Sequence, residues 1–256
     1  MAMTVGIITN PDKDPDLSYT ALVRNFLTQK GVAIREGEFP SRADFCVVLG
    51  GDGTILRCSH LAAICDVPLL GINLGTLGFL TDAEKQDGLE ALEKVLAGEY
   101  ETEKRMMLET ELPPIPYLAL NDICIGTTGS LKTLSLYVNN HHLDTLRADG
   151  LIVATPTGST AYNLSAGGPI LMPGGKMMVI TPICPHSLGT RPLVIGESDI
   201  VRIVAHQPSP IIIDGETVGE LSTDTGITIK KSSLYATTIK TAQSHIYDVL
   251  KKKKIL

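Results

Sequence analysis

The sequence predicts an α/β N-terminal domain built on a parallel sheet, followed by a C-terminal β-rich, sandwich-like domain. Three observations carry this. Before Tyr100, apolar β-branched runs alternate with helical patterns, and that alternation implies a parallel sheet. Two of those runs open directly into glycine-rich loops, GGDGT at residues 50–54 and NLGTLGF at 73–79. Ligands of such sheets bind at the carboxyl ends of the strands, so both loops fall on the functional edge. After Tyr100, short β-rich runs punctuated by Pro, Gly and Asn replace the helices, the spacing of an antiparallel sandwich or of stacked small sheets. The domains are therefore set at 1–99 and 100–256, joined by a short crossing, with the C-terminal tail free to return to the first.

Taken in order, residues 5–9 (VGIIT) read as a buried strand ended by the Asn10-Pro11 turn. Ser18 suits the N-cap of a helix carrying Leu22, Val23, Phe26 and Leu27 and stopped by Gly31. Residues 32–34 and 45–49 supply two further strands. A helix after GGDGT carries Leu56, Leu61, Ala62 and Ile64, and residues 68–72 make the next strand. Leu89, Leu92, Val95 and Leu96 line one face of another helix, ended by Gly98. Later strands fall at 134–138, 151–154, 177–181, 200–205, 211–213 and 227–229.

Composition narrows the function. Hydrophobic residues, 43% of 256, suffice for a core, and no apolar run is long enough to span a bilayer. The start, Met1-Ala2-Met3-Thr4-Val5, lacks the basic region of a signal peptide. Five scattered cysteines without metal spacing read as small hydrophobes in a reducing cytoplasmic setting. A net charge of −6, no Trp and 4% aromatics argue against nucleic-acid binding, and Lys251 to Lys254 read as a solvated tail.

In GGDGT, the glycines Gly50, Gly51 and Gly53 are expected to free the backbone for close approach to a ligand, with Thr54 opening a helix whose N–H groups favour phosphate. Asp52 is then either the helix N-cap, or a carboxylate that holds a metal or takes a proton from a hydroxyl. Asn121-Asp122 interrupts a strand-like run; an amide suits a base edge and a carboxylate suits ribose hydroxyls, while an Asx-turn is the plain alternative. In residues 155–170, Thr155, Thr157, Ser159 and Thr160 surround Gly158, where they either cap a helix starting near Ala161 or donate to a nucleotide. Tyr162 offers a ring for a planar base, with Ser165 one turn along. His186, in a proline-rich connection, is read as structural.

The set formed by GGDGT, NLGTLGF, Asn121-Asp122, RADG at 147–150, TPTGSTAYNLSAGGPI at 155–170 and PHSLGTRPLV at 185–194 resembles the NAD kinase family, in the family's order and over nearly the whole chain. GGDGT is shared with lipid and sphingosine kinases, and TPTGSTAY discriminates. The resemblance implies an α/β domain, a β-rich domain and an active site drawing on both. It implies phosphorylation of the adenosine-ribose 2′-hydroxyl of NAD, using ATP or, in some bacteria, polyphosphate, with a divalent cation such as Mg2+. It makes Asp52 the proton acceptor and Gly50, Gly51, Gly53 and Thr54 the phosphate-donor loop. Carried over in the same way, the dinucleotide meets Asp52, Gly53, Arg57, Phe79, Asn121, Asp122, Thr160, Ala161, Tyr162, Asn163, Leu164, Ser165 and Glu216. Arg147 and Asp149 reach the nicotinamide end, from a neighbouring subunit of a dimer or tetramer.

Two positions depart from the family pattern. Asp122 stands where Glu is usual, one methylene shorter, which implies ribose contact through water. Glu216 follows Asp214-Gly215 where Gln is usual, placing a charge beside a negatively charged ligand. Two rival functions share the scaffold: a lipid-type GGDGT kinase, which needs an apolar acceptor pocket or membrane face, and a dinucleotide sensor without turnover.

Overall fold

A computed structural model describes residues 3–37, 39–75, 78–112, 115–127, 129–241 and 246–255. Thr76 and Leu77 of the second glycine-rich loop lie outside the described residues, as do Met1 and Ala2. The chain divides into two compact units, one comprising Met1–Lys104 with Ala236–Leu256 and the other Arg105–Tyr235.

The first unit runs β1 (Thr4–Thr9), α1 (Ser18–Gln29), β2 (Ala33–Arg35), β3 (Phe45–Gly50), α2 (Asp52–Cys65), β4 (Leu69–Asn73), β5 (Ala83–Glu84) and α3 (Gly88–Ala97). Its strands stand in the order β4-β3-β1-β2, every neighbour parallel, with β5 beside β4. Every residue of β3 and β4 is buried, which explains why these strands read as unbroken apolar runs. Val5, Val47, Leu49, Leu70 and Ile72 of the strands pack with Val23 and Leu27 of α1 and Leu92 and Val95 of α3.

Two local readings are corrected. Ser18 does not cap α1: Leu17 occupies that position at φ 54°, and the buried Asp14 carboxylate takes the N–H groups of Tyr19 at 3.1 Å and Thr20 at 2.8 Å. A carboxylate reaching from the preceding turn satisfies helix donors as a cap would. The inner face of α2 is Thr54, Ile55, Cys58, Ser59, Ala62 and Ala63, while Ile64 is exposed and Leu56 and Leu61 are half-buried. Small side chains face inward there, and the bulky ones fall to the flanks.

The chain leaves this unit along β6 (Glu101–Leu112). There follow β7 (Ile115–Ala119), β8 (Asp122–Gly126), β9 (Lys132–Val138), β10 (His141–Ala148), β11 (Gly150–Ala154), the short α4 (Tyr162–Ser165), β12 (Met177–Ile183), β13 (Leu193–Gly196), β14 (Val201–Ala205), β15 (Ser209–Ile213), β16 (Glu216–Leu221) and β17 (Thr225–Lys240). In the second unit β10-β9-β14-β17 form one antiparallel layer and β13-β12-β11-β8-β15-β16 another. Leu134, Leu136, Val201 and Ile203 of the first layer share a core with Ile123, Ile125, Leu151, Val153 and Ile180 of the second, the packing of a sandwich. The alternate residues Cys124, Ile152, Ala154 and Val179 turn to the opposite face, where Leu171 covers them.

The last residues of β17 belong to the first unit, where Thr238 pairs with Leu69 of β4 in parallel. The described residues end with α5 (Ile246–Lys252), which buries Leu250. Among the described residues, no helix is long and apolar enough to cross a membrane.

Candidate active site

The stretch from β3 to α2 is shaped by space. None of Gly50, Gly51 and Gly53 has a positive φ; Gly51, the N-cap, is extended at φ −141°. This corrects the expectation of conformational freedom. A Cβ at Gly50 would come 2.3 Å from Thr54 Oγ1, so glycine is demanded by packing, whereas Gly53 has nothing within 4 Å and stands exposed. Thr54 and Ile55 donate their N–H groups to Gly51 O at 2.9 and 3.2 Å. The N–H groups of Asp52 and Gly53, ahead of the first helical bond, remain for an anion.

Asp52 is the first residue of α2 and not its cap. Its carboxylate crosses to the second glycine-rich loop, where Oδ2 accepts Phe79 N–H at 2.8 Å and Oδ1 accepts Leu80 N–H at 2.9 Å. A Cβ at Gly78 would lie 1.9 Å from Asp52 Oδ1, so only glycine lets the loop close on the carboxylate. With one bond on each oxygen, each keeps a further acceptor position. Asn73 holds the same loop from the other side, its Oδ1 accepting Gly75 N–H and its Nδ2 donating to Gly75 O, both at 3.1 Å. Phe79 is half-buried, and Arg57 is exposed on α2.

In the second unit, Asn121 and Asp122 stand at the start of β8, where Asp122 pairs with Ala154. Asp214, at φ 50°, gathers the N–H groups of Leu120 at 2.8 Å, Asn121 at 2.7 Å and Asp122 at 3.1 Å. Asp122 is 4% exposed. Burial and the nearby Asp214 push its carboxyl up to about 7. Burial also raises Asp214, to about 6, against the three N–H bonds that lower it, while Glu216 adds to the rise. The N–H bonds favour the charged form of Asp214, so of the two it is Asp122 that keeps the proton.

The hydroxyl-rich stretch divides sharply. Thr155, Thr157 and Ser159 are buried. Thr155 Oγ1 donates to Leu120 O at 2.6 Å and accepts Gly158 N–H at 3.0 Å, which ties this loop to the Asn121 strand. Ser159 Oγ lies 2.7 Å from Pro156 O and accepts Leu171 N–H at 2.9 Å. The hydroxyls of Thr155 and Ser159 brace the loop, and Thr160, half-buried, donates its Oγ1 to Thr157 O at 3.3 Å. Asn163 is buried with its amide fully engaged, donating to Ser159 O and Pro169 O and accepting from Thr181 Oγ1. Gly158 has no room for a side chain, since a Cβ would come 2.0 Å from Asn121 O.

Ala161 and Leu164 are half-buried, while Tyr162 and Ser165 are exposed on α4. Burial raises the Tyr162 phenol, and Asp149 and Asp122 are among the nearby groups that raise it further. Asp149 is half-buried where β10 passes to β11, with its N–H given to Ile183 O at 2.9 Å; Arg147 is exposed on β10. Glu216 opens β16, exposed. Asp214 escaped the sequence reading, which named the Asp214-Gly215 pair only to place Glu216. Among the described residues, no three His, Cys, Asp or Glu side chains converge to hold a metal.

Comparison with known proteins adds to this geometry. The family models for the ATP-NAD kinase N-terminal domain and the ATP-NAD kinase C-terminal domain match residues 32–100 and 120–241. An NAD kinase of Caldanaerobacter subterraneus subsp. tengcongensis is 42% identical across 97% of this chain and 98% of its own. One from Thermoanaerobacter sp. (strain X514) is 40% identical over the same shares. The crystal structure of an NAD kinase from Archaeoglobus fulgidus in complex with ATP aligns with a TM-score of 0.84 at 29% identity, covering 98% of both chains. Yeast NADH kinase complexed with NADH shares the fold, with a TM-score of 0.81 at 24% identity over 98% of this chain and 87% of the other.

Proposed function

Since the chain belongs to the NAD kinase family, we propose that it transfers the terminal phosphoryl of ATP to the 2′-hydroxyl of the adenosine ribose of NAD, yielding NADP and ADP. The observation that carries this reading is Asp52: a carboxylate that, among the described residues, is fixed by one backbone N–H on each oxygen, in the first turn of a helix, where an anion is favoured. Transfer needs a base for the acceptor hydroxyl and donors for charge on the moving phosphoryl. Asp52 orients the 2′-hydroxyl and receives its proton as the new O–P bond forms and the bond to the leaving ADP breaks. The N–H groups of Asp52 and Gly53 stabilise the transferring oxygens, with Gly50, Gly51 and Thr54 shaping the loop.

On the acceptor side, Asn121 recognises adenine and Asp122 the ribose, held in register by Asp214. Thr160, Ala161, Tyr162, Leu164 and Ser165 line the dinucleotide, and Asn163 holds that lining in shape from within. Arg147 and Asp149 serve the nicotinamide end from a neighbouring subunit of a homodimer or homotetramer. A divalent cation such as magnesium would be carried on the donor's phosphates, its usual mode in phosphoryl transfer. There it would neutralise developing charge. The five free cysteines suit a cytoplasmic setting. The lipid-kinase and sensor alternatives find no support beside relatives that are NAD kinases over nearly the whole chain.

Asp52→Asn tests the assignment. Turnover should fall roughly 10²–10⁴-fold, the range for general-base loss, with NAD affinity measured by calorimetry little changed. Near-normal turnover would remove Asp52 from the chemistry.

A further inference from the structure

We infer that Lys13 and Lys253 are the cations that read the phosphate donor, and that they recognise a chain of linked phosphates rather than the nucleoside attached to it. The inference rests on the kinase reading above and deepens it.

Lys13 belongs to the turn after β1. Asn10 pins that turn by donating its backbone N–H to Leu49 O at 2.8 Å and its Nδ2 to Thr54 Oγ1 at 3.1 Å, while Lys13 N–H closes the turn on Asn10 O at 3.0 Å. The turn is thus anchored to the end of β3 and to the first turn of α2. The Lys13 side chain extends to the second glycine-rich loop, where a Cβ at Gly75 would lie 3.6 Å from its Nζ. Lys253 approaches from the other end of the chain. Its Nζ sits 4.9 Å from the centroid of the Phe79 ring, and Phe79 N–H is one of the two donors to Asp52. Leu250, buried on α5, and Lys252, 3.7 Å from Glu84, fix the segment that presents it.

Both ammonium groups are exposed, and neither has a carboxylate partner among the described residues. Lys30, Lys94 and Lys230, by contrast, all pair with glutamates. Two unpaired cations, each one contact removed from the two loops that meet at Asp52, suit a ligand with charge spread along its length. In a chain of net charge −6, a polyanion gains little from the overall field, so local cations must supply the attraction. Nucleoside triphosphates and inorganic polyphosphate share this chemistry.

The test uses Lys13→Gln, Lys253→Gln, the double variant and Lys30→Gln as a surface control. Steady-state rates are taken with ATP varied at saturating NAD, then with NAD varied, and inorganic tripolyphosphate is added as competitor or donor. NAD binding is measured separately by calorimetry without a donor. Each single variant should raise KM for ATP about ten- to hundredfold, the scale for losing a charge-assisted bond, and should weaken tripolyphosphate in parallel. KM and affinity for NAD should hold, as should every constant of the control. Unchanged donor constants in the double variant, in a chain that still phosphorylates NAD, would overturn the inference; so would a loss confined to ATP. A native chain that phosphorylates NAD with neither donor would instead overturn the kinase reading itself.

Discussion

At Asp122 a carboxyl is buried beside an Asp214 that gathers three backbone N–H groups. Its folded-state value near 7 lies well above the ordinary carboxylate range. A raised carboxyl contributes stability that is fully present below the unfolded value, near 4, and is lost as pH rises through about 7. Asp122→Asn removes that loss. Its melting temperature relative to the native chain should therefore climb between pH 5 and pH 8, read by parallel thermal scans without ligand. A constant difference across that range would mean the carboxyl is ionised throughout. Asp52 was legible in the sequence because three glycines around one acid are unusual. Asp214 was not, because its partners lie 92 to 94 positions earlier and meet it only through the β15–β8 pairing.

The loops show the same division among elements. Strands announced themselves by apolar runs because β3 and β4 are buried on both faces. The inner face of α2 was hidden, since Cys58, Ser59, Ala62 and Ala63 carry little hydrophobic signal beside Ile64. The stretch at 155–168 gave away its importance but not its labour: Thr155, Ser159 and Asn163 hold backbone in place, which sequence cannot tell from reaching toward a ligand. Gly78 follows from this level. Its missing Cβ is what lets Phe79 and Leu80 reach Asp52, so Gly78→Ala should push the loop off the carboxylate. We expect turnover to fall at least tenfold in steady-state assays. Stability should fall by about 1–3 kcal/mol for each backbone donor left unmet, read as a lower melting point. Full turnover would show that the loop need not close on Asp52.

Across the whole molecule, the change of texture near Tyr100 was visible as the loss of helical periodicity, and β6 does begin there. The return of residues 236–256 to the first unit was allowed for in the reading of the tail, but no local pattern fixes its place, because a strand's partners are chosen by the sheet it reaches. Assembly belongs to this scale as well. If Arg147 and Asp149 complete a neighbour's site, the subunits must form a closed symmetric oligomer. Mixing inactive Asp52→Asn and Asp149→Asn proteins, followed by subunit exchange, should then restore part of the activity. No recovery in hybrids verified by mass spectrometry would confine each site to one chain.

The order of synthesis meets an obstacle in β17. Residues 1–104 emerge from the ribosome first, yet the strand that pairs with Leu69 arrives only at Thr238. At about 5–20 residues per second, the nascent first unit waits roughly seven to twenty-seven seconds with the β4 edge short of this partner. The second unit, continuous from Arg105 to Tyr235, has all its residues out before the first has its own. Cotranslational folding is therefore expected to run against the usual N-to-C sequence. Chains stalled after Tyr235 should protect the β-rich unit from protease while the Asp52 unit is still cut.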